Sequence, residues 1–439
     1  MKRCETIILA KTILTQNANR DILHDSALAI NNGLICDIND KSLILHNYFA
    51  QDTIDLGNAL IMPGLINGHA HTPMVFLRGL ADDQPLWDWL TKYIFPLEQL
   101  LTTEIVYYSS LLAFVEKIRS GTTAVQDMYM FEREIFKAAD QIGIRICGGE
   151  TIIDSPTAAH RSPEAAILTA IEDYQYYAQH SRISTSICIH GLYTTKPATV
   201  IRSVELAQKY KLPIHIHLAE NASETEQVIS QYGKRPVQLA DELGLLTPMT
   251  SLAHCVDLLD EELDLLAERQ VNIIHNPKSN LKLGSGIARI PAMLQRQINV
   301  ALGTDGAASN NMLNMFSEMQ YAALIHKGGN NNPTLVNCQQ VLDMATLNGA
   351  KAGQFANCGS LIAGNKADLI ALDLNRINLQ AGYNWVSDLI YATTGDEIIF
   401  SMIDGKVVYR NGCFNNLDYP GLIHEMHKIK AYIQSKVKG

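Results

Sequence analysis

Eight short apolar segments recur between residues 61 and 304, each followed by a longer amphipathic stretch. They are 61–69, 121–127, 144–150, 183–190, 213–218, 250–255, 271–275 and 298–304. Stretches such as 104–119, 199–210, 223–231 and 260–269 supply helices between them. Strands that alternate with helices are joined by crossovers and run parallel. Eight such units predict an α/β chain closed into a (β/α)8 TIM-like barrel. An open doubly wound sheet is the alternative, but no strand is followed by a Gly-rich dinucleotide fingerprint.

The flanks have a different texture. Residues 1–60 read as short strands, ETIILAK, ALAINNG and LICDIN, with Asn31-Asn32-Gly33 as a hairpin turn. After 355, GSLIAGNKADLIALDL and MIDGKVVYRNG are again strand–turn–strand patterns. The expected organisation is a β-sandwich domain built from 1–60 and 355–420, beside a barrel over 61–354. A C-terminal helix is expected over 421–439. GGNNN at 328–332 reads as a loop.

Composition removes several function classes. The formal net charge is −10 with no basic stripe, which argues against nucleic acid as a partner. Hydrophobic residues make up 47% and charged residues 18%, enough for a large core. Eight scattered cysteines with no C-x-x-C pair fit a reducing, cytoplasmic protein without a cysteine zinc site. The N-terminal apolar run is too short for a signal peptide, and Lys11 interrupts it. No apolar run approaches the ~18 residues of a membrane span.

Barrel chemistry gathers at the C-terminal ends of the strands, and here those ends are polar. In His69-Ala70-His71 the two imidazoles are two residues apart, so a strand presents both on one side. One such pair arises easily by chance. The other ends, however, offer Glu150, His190, then His215, His217 and Glu220, then His254, His275 and Asp305. Histidine or acid at seven of eight ends is hard to assign to packing. Three imidazoles and one carboxylate make a shell for a catalytic divalent cation with room for water. His69, His71, His217 and Asp305 are the natural set. Glu220, three residues beyond His217, is placed to shuttle protons, and His254 to assist. Strand four ends in His190 and not in a lysine that could bridge two ions, so one metal per chain is expected. His215 is expected to support the barrel interior, His275 to fix the Asn-Pro loop after it, and Asp127 to make structural hydrogen bonds.

PGLINGHAHTPMVFLRGLADDQPLWDWL, HIHLAEN, AHCV, HNPKSNLKLGSG and GTDGAASNN together resemble the amidohydrolase superfamily. Within it they resemble the 5′-methylthioadenosine/S-adenosylhomocysteine deaminase group, over about residues 55–350, with GNKADL and DGKVV in the tail. The resemblance implies a distorted (β/α)8 barrel flanked by a β-sandwich, and zinc, or else iron, on His69, His71, His217 and Asp305. It implies proton transfer by Glu220 assisted by His254. It also implies a nucleoside substrate, with Trp89 packing on it, Glu98 taking the ribose hydroxyls and His190 lining the pocket. Ser309 of GTDGAASNN falls on the substrate side. A basic residue that some relatives carry near the end of strand three is here Glu150, with Arg161 nearby; both are candidate substrate contacts. The strand-four turn reads HGLYTTK where relatives often have HAPYTCS, which bears on the 5′ group. A homo-oligomer, dimer or tetramer, is expected.

Three function classes follow. The first is a hydrolytic deaminase of 5′-modified adenosines. The second is a hydrolase or deaminase of triazine-like rings or of other aminated heterocycles such as guanine, using the same metal site. The third is a non-catalytic scaffold of the same fold. An intact ligand set with Glu220 speaks against the third. Trp89 and Glu98 speak for the first, because a sugar diol wants a carboxylate acceptor.

Overall fold

A computed structural model describes residues 1–437. The apolar run through Ile61 and His69 is cut in two at Gly64. A side chain there would overlap Thr123, whose Oγ1 lies 2.0 Å from where a Cβ would stand. Only glycine lets the backbone lie this close to the Thr123 side chain. The segment before it pairs in the terminal sheet and the segment after it opens the barrel.

The terminal sheet begins with β1 (Lys2–Leu14), β2 (Ile22–Asn31) and β3 (Leu34–Asp40), followed by β4 (Tyr48–Asp55) and β5 (Ala59–Pro63). β1 and β2 run antiparallel, whereas β4 and then β5 pair parallel to β1. Asn32 and Gly33 have φ of 51° and 73°, the left-handed pair a tight hairpin requires.

The barrel follows in order. Its strands are β6 (Leu65–Ala70), β7 (Thr122–Asp127), β8 (Arg145–Gly148) with β9 (Thr151–Ile152), and β10 (Ile183–Thr185) with β11 (Ile187–Gly191). They continue through β12 (Ile214–Leu218), β13 (Thr250–His254), β14 (Asn272–His275) and β15 (Asn299–Leu302). All of their pairings are parallel. The third and fourth barrel strands each break midway, so hydrogen bonding divides the ring into four-stranded and six-stranded arcs. The ring closes between β6 and the loop after β15 through the Asn67 side chain and one backbone bond. Asn67 Oδ1 accepts from Thr304 N at 2.9 Å, Asn67 Nδ2 donates to Thr304 Oγ1 at 2.7 Å, and Asp305 N donates to His69 O at 2.9 Å. Helices Thr103–Arg119, Pro197–Tyr210, Ala222–Tyr232 and Asp260–Glu268 lie where the periodicity predicts them.

The chain then returns to the terminal sheet with β16 (Leu369–Asp373), β17 (Ile398–Ile403), β18 (Lys406–Arg410) and β19 (Cys413–Phe414). β16 pairs antiparallel to β5, completing nine mixed strands. The sheet curls, because the β17–β18 turn meets the β2–β3 turn: a Cβ on Gly405 would stand 2.7 Å from Gly33 Cα. Ile8, Leu28, Ile30, Phe400 and Met402 share the core inside this curl. A buried ion pair ties sheet to barrel. Arg145 of β8 donates to both Asp368 oxygens, at 2.6 and 3.0 Å. The helix Tyr419–Val437 buries Leu422, Ile429 and Ile433; residues 438 and 439 of the expected helix lie outside the described residues. Of GGNNN, the two glycines end the helix Met315–Gly329 and only the asparagines lie beyond it. Among the described residues no helix is long and apolar enough to cross a membrane.

Candidate metal centre

His69 is the next-to-last residue of β6 and His71 lies just past its end, two residues on, so both rings enter the barrel mouth. β12 brings His217, and the loop after β15 brings Asp305. His71 Nε2 lies 3.2 Å from His217 Nε2 and 3.3 Å from Asp305 Oδ1; His69 Nε2 lies 3.5 Å from the same oxygen. One ligand atom from each of His69, His71 and His217 falls within a 4.8 Å cluster, as does one from each of His69, His254 and Asp305.

The other ring nitrogens explain why the Nε2 atoms converge. His71 Nδ1 donates to Met128 O at 2.7 Å, and His217 Nδ1 to His190 O at 2.6 Å. A carbonyl only accepts, so the proton sits on Nδ1 and the Nε2 lone pair is free. His69 Nδ1 meets His215 Nε2 at 2.7 Å, and the two rings stack at 17°. His69 Nε2 itself is buried without a hydrogen-bond partner. Such an atom is costly to leave unpaired, and one aimed at two imidazoles and a carboxylate fits a cation. Burial holds His69 at about 4, so it stays a neutral ligand near pH 7. Burial alone would raise Asp305, but the neighbouring imidazoles, His69 first, hold it well below the usual carboxylate range. His69, His71, His217 and Asp305 can therefore hold a divalent cation.

Supporting contacts fix each donor. Ser279 Oγ donates to Asp305 Oδ2 at 2.6 Å, and Gly306 N to Asp305 Oδ1 at 2.7 Å. His254 Nδ1 donates to Asn280 Oδ1 at 2.8 Å, leaving Nε2 4.0 Å from both Glu220 Oε2 and Asp305 Oδ2. The backbone under Glu220 is clamped by Glu224, whose carboxylate accepts from Ala219 N at 3.0 Å and Glu220 N at 2.6 Å. Ala219, His254 and Asp305 have positive φ, of 50°, 75° and 61°. Strain of this kind gathers where surrounding contacts over-determine a functional conformation.

Above this cluster opens a cavity with about 980 Å³ of atom-free space, counted out to the solvent at its mouth. His71, His217, Glu220, His254 and Asp305 form its polar floor, and Trp89, Glu98, His190 and Tyr193 stand in its walls. Glu98 is buried, and Tyr129 Oη donates to its Oε1 at 2.7 Å. Burial pushes Glu98 up to about 7 against that hydrogen bond. Burial likewise lowers His190 to about 4, and its Nδ1 meets Thr194 Oγ1 at 2.7 Å.

Three expected substrate contacts lie elsewhere. Glu150 is outside the cavity lining, because its oxygens accept from Phe131 N at 3.0 Å and Glu132 N at 2.9 Å. It caps the start of helix Glu132–Ile142, whose first amides have no partner within the helix. His160 Nε2 lies 3.0 Å from it as well. Arg161 is exposed and lines no part of the cavity. Ser309 is buried outside the lining, its hydroxyl donating to Gly306 O at 3.1 Å. The sequence reading overlooked Tyr129, Ser279, Asn280 and Glu224. Asn280 and Ser279 lie inside the quoted HNPKSNLKLGSG, where a polar residue just past a strand end was the available signal. Nothing local marked Tyr129. His215 supports His69 as expected, and His275 meets His326 across 3.1 Å. Asp127 accepts from Thr72 N and Oγ1.

Residues 60–408 match the amidohydrolase family. A 5-methylthioadenosine/S-adenosylhomocysteine deaminase of Lawsonia intracellularis is 48% identical over 435 residues, covering 99% of both chains. An adenosine deaminase structure from Xanthomonas campestris with bound zinc superposes with a TM-score of 0.95 at 34% identity, covering 99% of both chains. A zinc complex of an atrazine chlorohydrolase from Arthrobacter aurescens superposes with a TM-score of 0.91 at 20% identity, over 97% of this chain and all of that one.

Proposed function

The chain belongs to the amidohydrolase family, and on that footing we propose that it is a metal-dependent hydrolytic deaminase of 5′-modified adenosines. It converts 5′-methylthioadenosine, S-adenosylhomocysteine or a related nucleoside to the matching inosine and ammonia. The observation that carries the substrate class is Glu98, a buried carboxyl in the cavity wall. Tyr129 occupies one side of it and leaves the second oxygen to accept from ribose hydroxyls. An apolar heterocycle needs no such group. Full-length likeness to relatives named for this activity supports the same reading, whereas the triazine reading keeps only a likeness of fold.

His69, His71, His217 and Asp305 would hold one divalent ion per chain, zinc first and iron second. When bound, the ion supplies a water acidic enough to act as nucleophile near neutral pH. Trp89 offers a flat apolar wall against which a purine can lie. Glu220, on the cavity floor, receives the proton given up by water and delivers one to the purine ring nitrogen. His254 is held by Asn280 with Nε2 toward Glu220 and the metal carboxylate, where it orients the attacking oxygen. The second proton of the water passes to the amino group, which leaves as ammonia, and the oxygen stays on the ring as the inosine carbonyl.

The test is ammonia release by zinc-loaded protein from 5′-methylthioadenosine, S-adenosylhomocysteine, adenosine and 2′,3′-dideoxyadenosine, with chloride release from a chlorotriazine in parallel. The expected result is turnover of the ribonucleosides, a much slower dideoxy compound and no chloride. Equal rates on adenosine and its dideoxy analogue would remove Glu98 from the site. Chloride without ammonia would replace the reading altogether.

A further inference from the structure

S-Adenosylhomocysteine and 5′-methylthioadenosine share a ring and a sugar and differ at the 5′ end. One ends in a methyl group, the other in an amino acid carrying a carboxylate and an ammonium. A carboxylate taken out of water needs a partner of opposite charge, and arginine provides the best one, in a bidentate pair. Among the described residues, no lysine or arginine lines the cavity. Its charged groups, Glu98, Glu220 and Asp305, are acids. His190 is held neutral by burial, and His254 sits on the floor between Glu220 and Asp305. Leu86, Leu90, Ile94, Phe95, Ile153 and Pro156 supply apolar wall. The polar groups beside this wall, Gln99, Thr151, Ser155 and Thr157, are uncharged, and the Gln99 amide already reaches the Pro156 carbonyl at 3.5 Å. At the end of strand three, Glu150 is an acid committed to a helix start, and Arg161 is exposed and outside the lining.

Resting on the deaminase reading, we propose that this cavity selects adenosines with a neutral, apolar 5′ substituent, such as a methylthio group, over S-adenosylhomocysteine. The argument does not depend on which way the substrate lies along the wall, since among the described residues no lysine or arginine stands in any part of the lining. A carboxylate without its charged partner forgoes ~1.5–3 kcal/mol, which as a rate ratio is roughly 10–200-fold.

The experiment compares kcat/KM for 5′-methylthioadenosine, 5′-butylthioadenosine and S-adenosylhomocysteine on the zinc-loaded chain. The butyl compound matches the longer substrate in reach but carries no charge. The expected order places both alkylthio compounds within a few-fold of each other and S-adenosylhomocysteine at least about tenfold lower. S-Adenosylhomocysteine turned over as well as the methylthio compound overturns the proposal. A butylthio compound as poor as S-adenosylhomocysteine also overturns it, because length and not charge would then be excluded. Arg161→Ala is expected to leave the ratio between the two natural substrates unchanged, and a selective tenfold loss on S-adenosylhomocysteine would overturn the assignment of Arg161 to solvent and the proposal with it. No ammonia from any of the three nucleosides defeats the deaminase reading itself, an outcome separate from the other three.

Discussion

Replacing Glu98 by glutamine keeps the side-chain shape and an oxygen for Tyr129 Oη while removing the charge. In the folded protein burial raises this carboxyl from its ordinary 4.5 to about 7. Below pH 4.5 it is protonated in both folded and unfolded chains and favours neither. As pH rises through 4.5 the unfolded chain ionises while the folded one stays protonated, so stability is lost up to about pH 7 and is level above it. Each pKa unit is worth about 1.4 kcal/mol, so the gap sets a ceiling of about 3.5 kcal/mol. Water at the open cavity mouth brings the expected figure nearer ~1.5–3 kcal/mol. Glu98→Gln carries no such penalty. Urea unfolding of both proteins in steps from pH 4.5 to 8.5 therefore shows the variant gaining on wild type as pH rises, with the difference constant above about pH 7.5. All other titrating groups cancel in that difference. The same variant is expected to lose kcat/KM on ribonucleosides while changing little on the dideoxy analogue. A stability difference independent of pH would mean that the carboxyl ionises normally in place, and the reasoning from burial would fail.

Three further outcomes follow from contacts already described. Glu220→Gln is expected to lose roughly 10²–10⁴-fold in kcat with metal content unchanged; a variant keeping more than about a tenth of the rate would strip Glu220 of its proton-transfer role. His71→Ala and Asp305→Ala are expected to lose both retained metal and turnover, and chelated wild type to regain activity with zinc; two equivalents of metal per chain by elemental analysis would contradict the single site. Arg145→Met leaves Asp368 buried without its partner and is expected to cost about 3–5 kcal/mol in urea unfolding, while KM at 25 °C stays put; a loss under about 1 kcal/mol would mean the pair contributes little.

The barrel was legible because a strand covered on both faces must be apolar throughout its length, which sets it apart from the amphipathic helices between. The histidine cluster was legible because His69 and His71 stand two residues apart at one strand end and the remaining histidines fall at other strand ends. What local pattern could not reveal were relations between distant segments. Gly64 looks like one more turn residue until Thr123 is brought against it. Glu150 sits at a strand end like the metal donors, but its fate is decided by Phe131, whose left-handed backbone opens a helix toward it. Tyr129 gained a role only because a segment more than thirty residues earlier placed Glu98 beside it. Ser309 follows a ligand motif closely enough to suggest substrate, but the short helix Ala307–Asn310 turns its hydroxyl back onto Gly306.

The seam that closes the barrel has a consequence for how the protein is made. Asn67 and Thr304 are 237 residues apart in sequence, and the contact between His69 O and Asp305 N runs along the same seam. Closing the ring and completing the donor set are thus one event. A nascent chain still short of residue 305 can bring two or three imidazoles together but lacks the anion that balances a divalent charge. Long-range closures of this kind come late and slowly in folding. A cation that needs all four donors would bind only after residue 305 has been made, and by binding only the closed ring it would draw the open one after it.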